Sequence, residues 1–98
     1  MAGTLRSAAS GGGPERLRAR LRALAGDDPA RARTEIARVL TEHLWRRCGP
    51  QWRQRGGRKR LLREQVGALA AESWLWVMGD RTWPALEESI LGRVERRL

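Results

Sequence analysis

A thiol and an imidazole lie five residues apart at Cys48 and His43, the chain's one cysteine and one histidine. Such a pair does nucleophilic chemistry when the imidazole takes the thiol proton, which requires hydrogen-bond reach. On a helix, positions three or four apart share a face, whereas positions five apart do not. His43 therefore reads as a packed or rim histidine and Cys48 as a small buried apolar group. One cysteine and one histidine are too few for a tetrahedral zinc site. Glu87 and Glu88 are adjacent and point apart, so they form no acid–base pair. Neither Gly11-Gly12-Gly13 nor Gly56-Gly57 has the strand–turn–helix setting of a phosphate-cradling loop. The expectation is a protein that is not an enzyme, with no metal, cofactor or small-molecule substrate.

Binding chemistry is better represented. Arg46, Arg47, Arg53, Arg55, Arg58, Lys59, Arg60 and Arg63 fall within eighteen residues that contain no acid, and they hold +8 of the chain's net charge of +9. Residues 1–45 add +3 and residues 64–98 subtract 2, so the positive charge is local. A concentrated positive field attracts polyanions by counterion release, or an acidic protein face by steering. In WRRCGPQWRQRGGRKR, arginine and tryptophan interleave as they do where bases stack on aromatics and cations hold phosphates. Arg-Gly-Gly resembles one unit of RNA-binding repeats, and Arg58-Lys59-Arg60 with Arg63 also fits a nuclear-import patch. The plainer alternative is a solvated basic loop with solvated helix faces.

The elements that must carry these residues are helical. Ninety-eight residues make one domain or less, and 41% apolar residues make a modest core. Five tryptophans with no phenylalanine or tyrosine suit interfaces as much as cores. The single cysteine rules out an intramolecular disulfide and fits a reducing compartment. No apolar run approaches the roughly 20 residues of a membrane span, so no membrane is expected. An arginine-rich start with one acid before residue 27 leaves a mitochondrial targeting reading open, although Gly11 to Pro14 would interrupt its amphipathic helix.

Residues 1–13 read as a disordered tail, and residues 14–98 as a single small helical domain. Pro14 can open a first helix that carries Leu17, Leu21 and Leu24 and stops at Gly26. Asp28-Pro29 is a cap-and-start signal for a second helix with the stripe Ala32, Ile36, Val39, Leu40, His43 and Leu44. Gly49-Pro50 should end it. After a loop over 50–57, a third helix is predicted from Arg58 to Met78, bearing Leu62, Val66, Leu69, Trp76 and Val77. Gly67 is a weak point in that helix, and Gly79 is its C-cap. A final helix opens near Thr82 and Pro84, with Leu86, Ile90, Leu91, Val94 and Leu98 on one side. No strand alternation occurs. The fold class is all-α, with four to five short amphipathic helices in an open, articulated helical hairpin arrangement.

The C-terminal stretch GDRTWPALEESILGRVERRL resembles the end of the enhancer of yellow 2 family of transcription and mRNA-export factors. There a glycine-to-proline turn leads into a last helix of Leu-Leu-x-Arg-Ile-Arg type. Gly79 and Pro84 match the turn, and Ile90, Leu91, Arg93 and Val94 match the helix. A second similarity is LTEHLWRRCGPQW, where Leu40, Leu44, Cys48, Gly49 and Trp52 fall on a leucine-rich helix ending in Cys-Gly with a nearby tryptophan. The resemblance covers about residues 36–98. Gly56-Gly57 and the arginine cluster depart from it, since the family carries an amphipathic helix there.

The resemblance implies a nuclear, non-enzymatic adaptor of a coactivator such as the SAGA deubiquitinating module, or of an mRNA-export complex. Such an adaptor wraps a long helix of a scaffold protein. The candidate partner-binding residues are Leu40, Leu44, Trp45, Trp52, Leu62, Val66, Leu69, Trp76, Leu86, Ile90 and Val94. The alternatives are a self-contained bundle in which these stripes bury one another, and a free-standing RNA- or DNA-binding module that uses the Arg46–Arg63 segment.

Overall fold

The computed structural model describes residues 2–98, with side chains described from Gly13 onward. It is all-α, and no strand occurs among the described residues. The helices are α1 (Ala2–Asp27), α2 (Pro29–Gln54), α3 (Lys59–Ala68), α4 (Ala70–Met78) and α5 (Trp83–Glu95). The tail expected over residues 1–13 lies, apart from Gly13, outside the described side chains. Pro14 lies inside α1 and does not open it.

Asp28 separates α1 from α2 and serves both. Its backbone N–H closes α1 on the Leu24 carbonyl at 2.7 Å, and its carboxylate caps α2 by accepting from the Arg31 N–H at 3.1 Å. Pro29 follows at the first helical position, where its missing N–H is not needed.

α2 does not stop at Gly49-Pro50, contrary to the expectation from that pair; it continues to Gln54 with Pro50 inside. Proline removes one ladder bond and crowds the residue before it, and a glycine at that preceding position relieves the crowding. Gly49 is also the point where the helix passes under the Trp45 ring, because a Cβ there would lie 2.9 Å from the indole. The extra turn after Pro50 delivers Trp52 to the core at 3% exposure. Gly56 then takes the left-handed conformation at φ 83°, and Gly57 lies tight against Leu98 and Trp52, which turns the chain into α3.

The single helix expected from Arg58 to Met78 is two helices. The break falls at Leu69 (φ −105°, ψ 31°), with Gly67 still inside α3. The Ser73 N–H and hydroxyl both donate to the Leu69 carbonyl at 2.9 Å, so the first turn of α4 grips the joint. At its far end α4 closes on Gly79 at φ 90°, where Gly79 N–H reaches Trp76 O and Asp80 N–H reaches Leu75 O. That is the Schellman pattern a glycine there permits. Thr82 caps α5, its hydroxyl accepting from Ala85 N–H at 3.3 Å.

One apolar cluster joins all five helices, from Leu21 of α1 to Val94 of α5. At about 1.5 Å per residue, α2 is roughly 39 Å long. The whole body measures 39 × 37 × 18 Å, so α2 is the rod on which the others are laid.

Candidate interaction surfaces

The sequence-nominated partner residues are mostly interior. Leu40, Leu44, Leu62, Val66, Trp76, Leu86, Ile90 and Val94 are at most 1% exposed, and Trp52 is buried beside them. Trp45 and Leu69 are half-buried. These stripes bury each other, so they leave no open groove. The reason is the length of α2: past Pro50 it has enough face to receive α1, α3 and α4 together, and Leu21 and Ala25 of α1 cover what remains. Trp76 packs against Trp83 with ring centroids 5.2 Å apart, and Trp83 meets His43 edge-on at 5.4 Å.

A different apolar trough stays open. Ile36 and Ala37 of α2, Val66 of α3, and Ala70, Ala71, Trp74 and Leu75 of α4 line a space of about 470 Å³. The three alanines keep the floor low, since short side chains leave the helix backbones uncovered. Leu75 is 42% exposed at this trough, the one large apolar side chain so exposed among the described residues. Arg33 lies over the Trp74 ring at 4.9 Å and sets a positive charge at the rim. Of these residues the sequence nominated only Val66 as partner-binding, and it placed Ile36 on a core stripe. The signal for the others is Leu75, which sits off the buried stripe in an otherwise apolar WLWVM run, opposite small residues.

The basic segment divides by partner. Arg47 pairs with Glu87, Arg55 with Glu95 and Lys59 with Glu42, so three of its cations bind α2, α3 and α5 together. Arg55, and then the indole of Trp52, hold the Glu95 carboxyl below its ordinary range; Lys59 does the same for Glu42. Among the described residues, Arg46, Arg53, Arg58, Arg60 and Arg63 have no carboxylate partner. Arg53 stacks over Trp45 at 5.3 Å, and the two share a shallow cleft with Gly56, Gly57, Arg58 and Lys59. Three further arginines, Arg93, Arg96 and Arg97, line a cleft of about 270 Å³ with Gln65.

Burial lowers the pKa of His43, helped by the neighbouring Arg47, and burial raises that of the Cys48 thiol. No helix among the described residues is long and apolar enough to cross a membrane.

In comparisons with known proteins, no family model, no curated protein and no solved structure matched the chain. The likeness to the enhancer of yellow 2 family thus rests on the residues quoted for it.

Proposed function

We propose that this chain is a non-enzymatic adaptor that holds an amphipathic helix of a partner protein in the trough between α2, α3 and α4. The observation that carries this reading is Leu75, exposed beside Trp74 above a floor of alanines. A helix laid in such a groove presents apolar anchors at i, i+3 or i+4, and i+7. Arg33 at the rim favours a partner with an acidic residue beside those anchors.

This differs from full wrapping, because the chain's own stripes are already buried and the partner would add to a formed core. The resemblance over residues 36–98 supports placing the adaptor in the nucleus, within a coactivator or mRNA-export assembly. Arg58, Lys59, Arg60 and Arg63 fit an import signal for that location.

The test is co-purification of the tagged chain from cells of origin, washed at high salt and read by mass spectrometry, in parallel with an Ala71→Arg/Leu75→Asp variant. Helical scaffold subunits that survive the wash with the natural chain and vanish with the variant support the adaptor. Equal recovery by both, or recovery of salt-labile RNA-binding proteins alone, overturns it.

A further inference from the structure

The chain just past α5 packs on the α2–α3 turn, and each of these two places contributes to a cleft lined by arginine and no acid. One contains Trp45, Arg53 and Arg58, and the other Arg93, Arg96 and Arg97. The two places touch: Leu98, next to Arg97, packs on Gly57, next to Arg58, and a Cβ on Gly57 would lie 2.8 Å from the Leu98 side chain. Glu95 is the acid closest in sequence to this end, and both of its oxygens are occupied, one by Trp52 and one by Arg55. The remaining arginines of the two clefts have no carboxylate partner among the described residues. Arg93 and Arg96 also border a cleft that holds Glu72 and Glu88, whereas the clefts lined by Arg53, Arg58 and Arg97 hold no acid. Like charges so gathered raise each other's energy, and a bound polyanion relieves that.

We propose that this end of the molecule binds single-stranded nucleic acid. Arg58, Arg96 and Arg97 hold successive phosphates, and a base stacks on the outer plane of the Arg53 guanidinium that covers Trp45. Three features select this ligand over other polyanions. The cations without a carboxylate partner are arginines, whose planar forks match phosphate oxygens in pairs. An aromatic–guanidinium stack lies among them, which a lipid headgroup has no use for and a base does. A duplex would offer phosphates but keep its base faces covered, so a single strand should be preferred. This surface shares no residue with the alanine-floored trough, so the inference stands apart from the adaptor reading.

The experiment is filter binding of a mixed-sequence 12-nucleotide RNA to the full chain across a salt series. The Arg58→Ala/Arg96→Ala/Arg97→Ala variant is set beside Arg16→Ala/Arg20→Ala/Arg22→Ala, which removes equal charge from exposed positions of α1. The first variant should lose at least tenfold in affinity, and its salt slope should flatten by about 2, given roughly 0.7 per phosphate contact on single strands. The α1 variant should stay within about twofold. Trp45→Leu should weaken single-strand binding and leave duplex binding unchanged. In the natural chain, RNA should protect Arg58, Arg96 and Arg97 from phenylglyoxal, a readout that depends on no variant folding. Equal losses from the two triple variants, no protection, or binding to phosphatidylserine vesicles in place of RNA would overturn the proposal.

Discussion

Trp52 donates its indole N–H to one oxygen of Glu95 at 2.8 Å, while Arg55 takes the other oxygen. One carboxylate near the end of α5 thus fastens both the last turn of α2 and the turn that follows it. Replacing Trp52 by alanine removes a buried indole and this fastening together, and should cost about 3–5 kcal/mol. Glu95→Gln should cost much less, since an amide oxygen can still accept from the indole. Urea unfolding followed by far-ultraviolet circular dichroism would show the order; a Glu95→Gln loss as large as that of Trp52→Ala would contradict it.

Two glycines should respond to alanine with opposite signs. At Gly57 a new Cβ would stand 2.9 Å from the Trp52 carbonyl oxygen, a backbone atom that cannot swing aside. Overpacking of that kind costs about 1–3 kcal/mol. At Gly67, inside α3, a Cβ would meet nothing within 4 Å. There Gly67→Ala should raise stability by up to about 1 kcal/mol through helix propensity. Thermal melts of the two variants decide the matter, and a destabilised Gly67→Ala would count against the assigned α3.

Acid should weaken the fold in two stages. His43 titrates below its ordinary 6.5 because of burial. Its folded-state pKa is depressed, so its contribution is whole above that value and drains away as pH falls through the lower one. The carboxyls of Glu95, Glu42 and Glu35 are held below their ordinary 4.5 by Arg55, Lys59 and Arg38 respectively. Their contribution is present above 4.5 and is lost as pH falls through their lowered values. The urea midpoint should therefore sag below about pH 6.5 and fall again below about pH 4.5, with His43→Phe abolishing the first stage. A midpoint that climbs between those pH values would be inconsistent with a His43 pKa lowered by burial.

Cys48 should be a poor nucleophile in the folded chain. Burial raises its thiol pKa, and it is the thiolate that reacts. Iodoacetamide at mildly alkaline pH should label the native protein more slowly than a free cysteine, and urea should restore the rate. Fast native labelling would mean that the α2–α5 contact opens readily.

Caps and stripes were legible because they are local. Asp28-Pro29, Gly79 and Thr82 stand where their chemistry requires, and Ala32, Ile36, Leu40 and Leu44 face inward as their spacing demands. Gly49-Pro50 misled because its local preference loses to a tertiary demand: Trp52, beyond the pair, must reach the core and Glu95. The break at Leu69 falls two residues beyond Gly67, where the sequence marked only a weak point. The nominated partner residues are mostly interior, for a related reason. Periodicity marks which side of a helix is buried, but only packing shows whether its own chain or another does the covering. Charge behaved likewise, since Arg47, Arg55 and Lys59 meet acids distant in sequence that no local window connects.

Each of the two surfaces has its own indole beneath an arginine, Trp74 under Arg33 and Trp45 under Arg53. Indole emission follows the polarity of its surroundings and is quenched by stacked bases. The protein thus carries a built-in optical probe at each place where something could dock. With the interior Trp52 and Trp76 and the half-buried Trp83 as background, loss of light from Trp45 and a blue shift from Trp74 would be separable events, readable without attaching a dye.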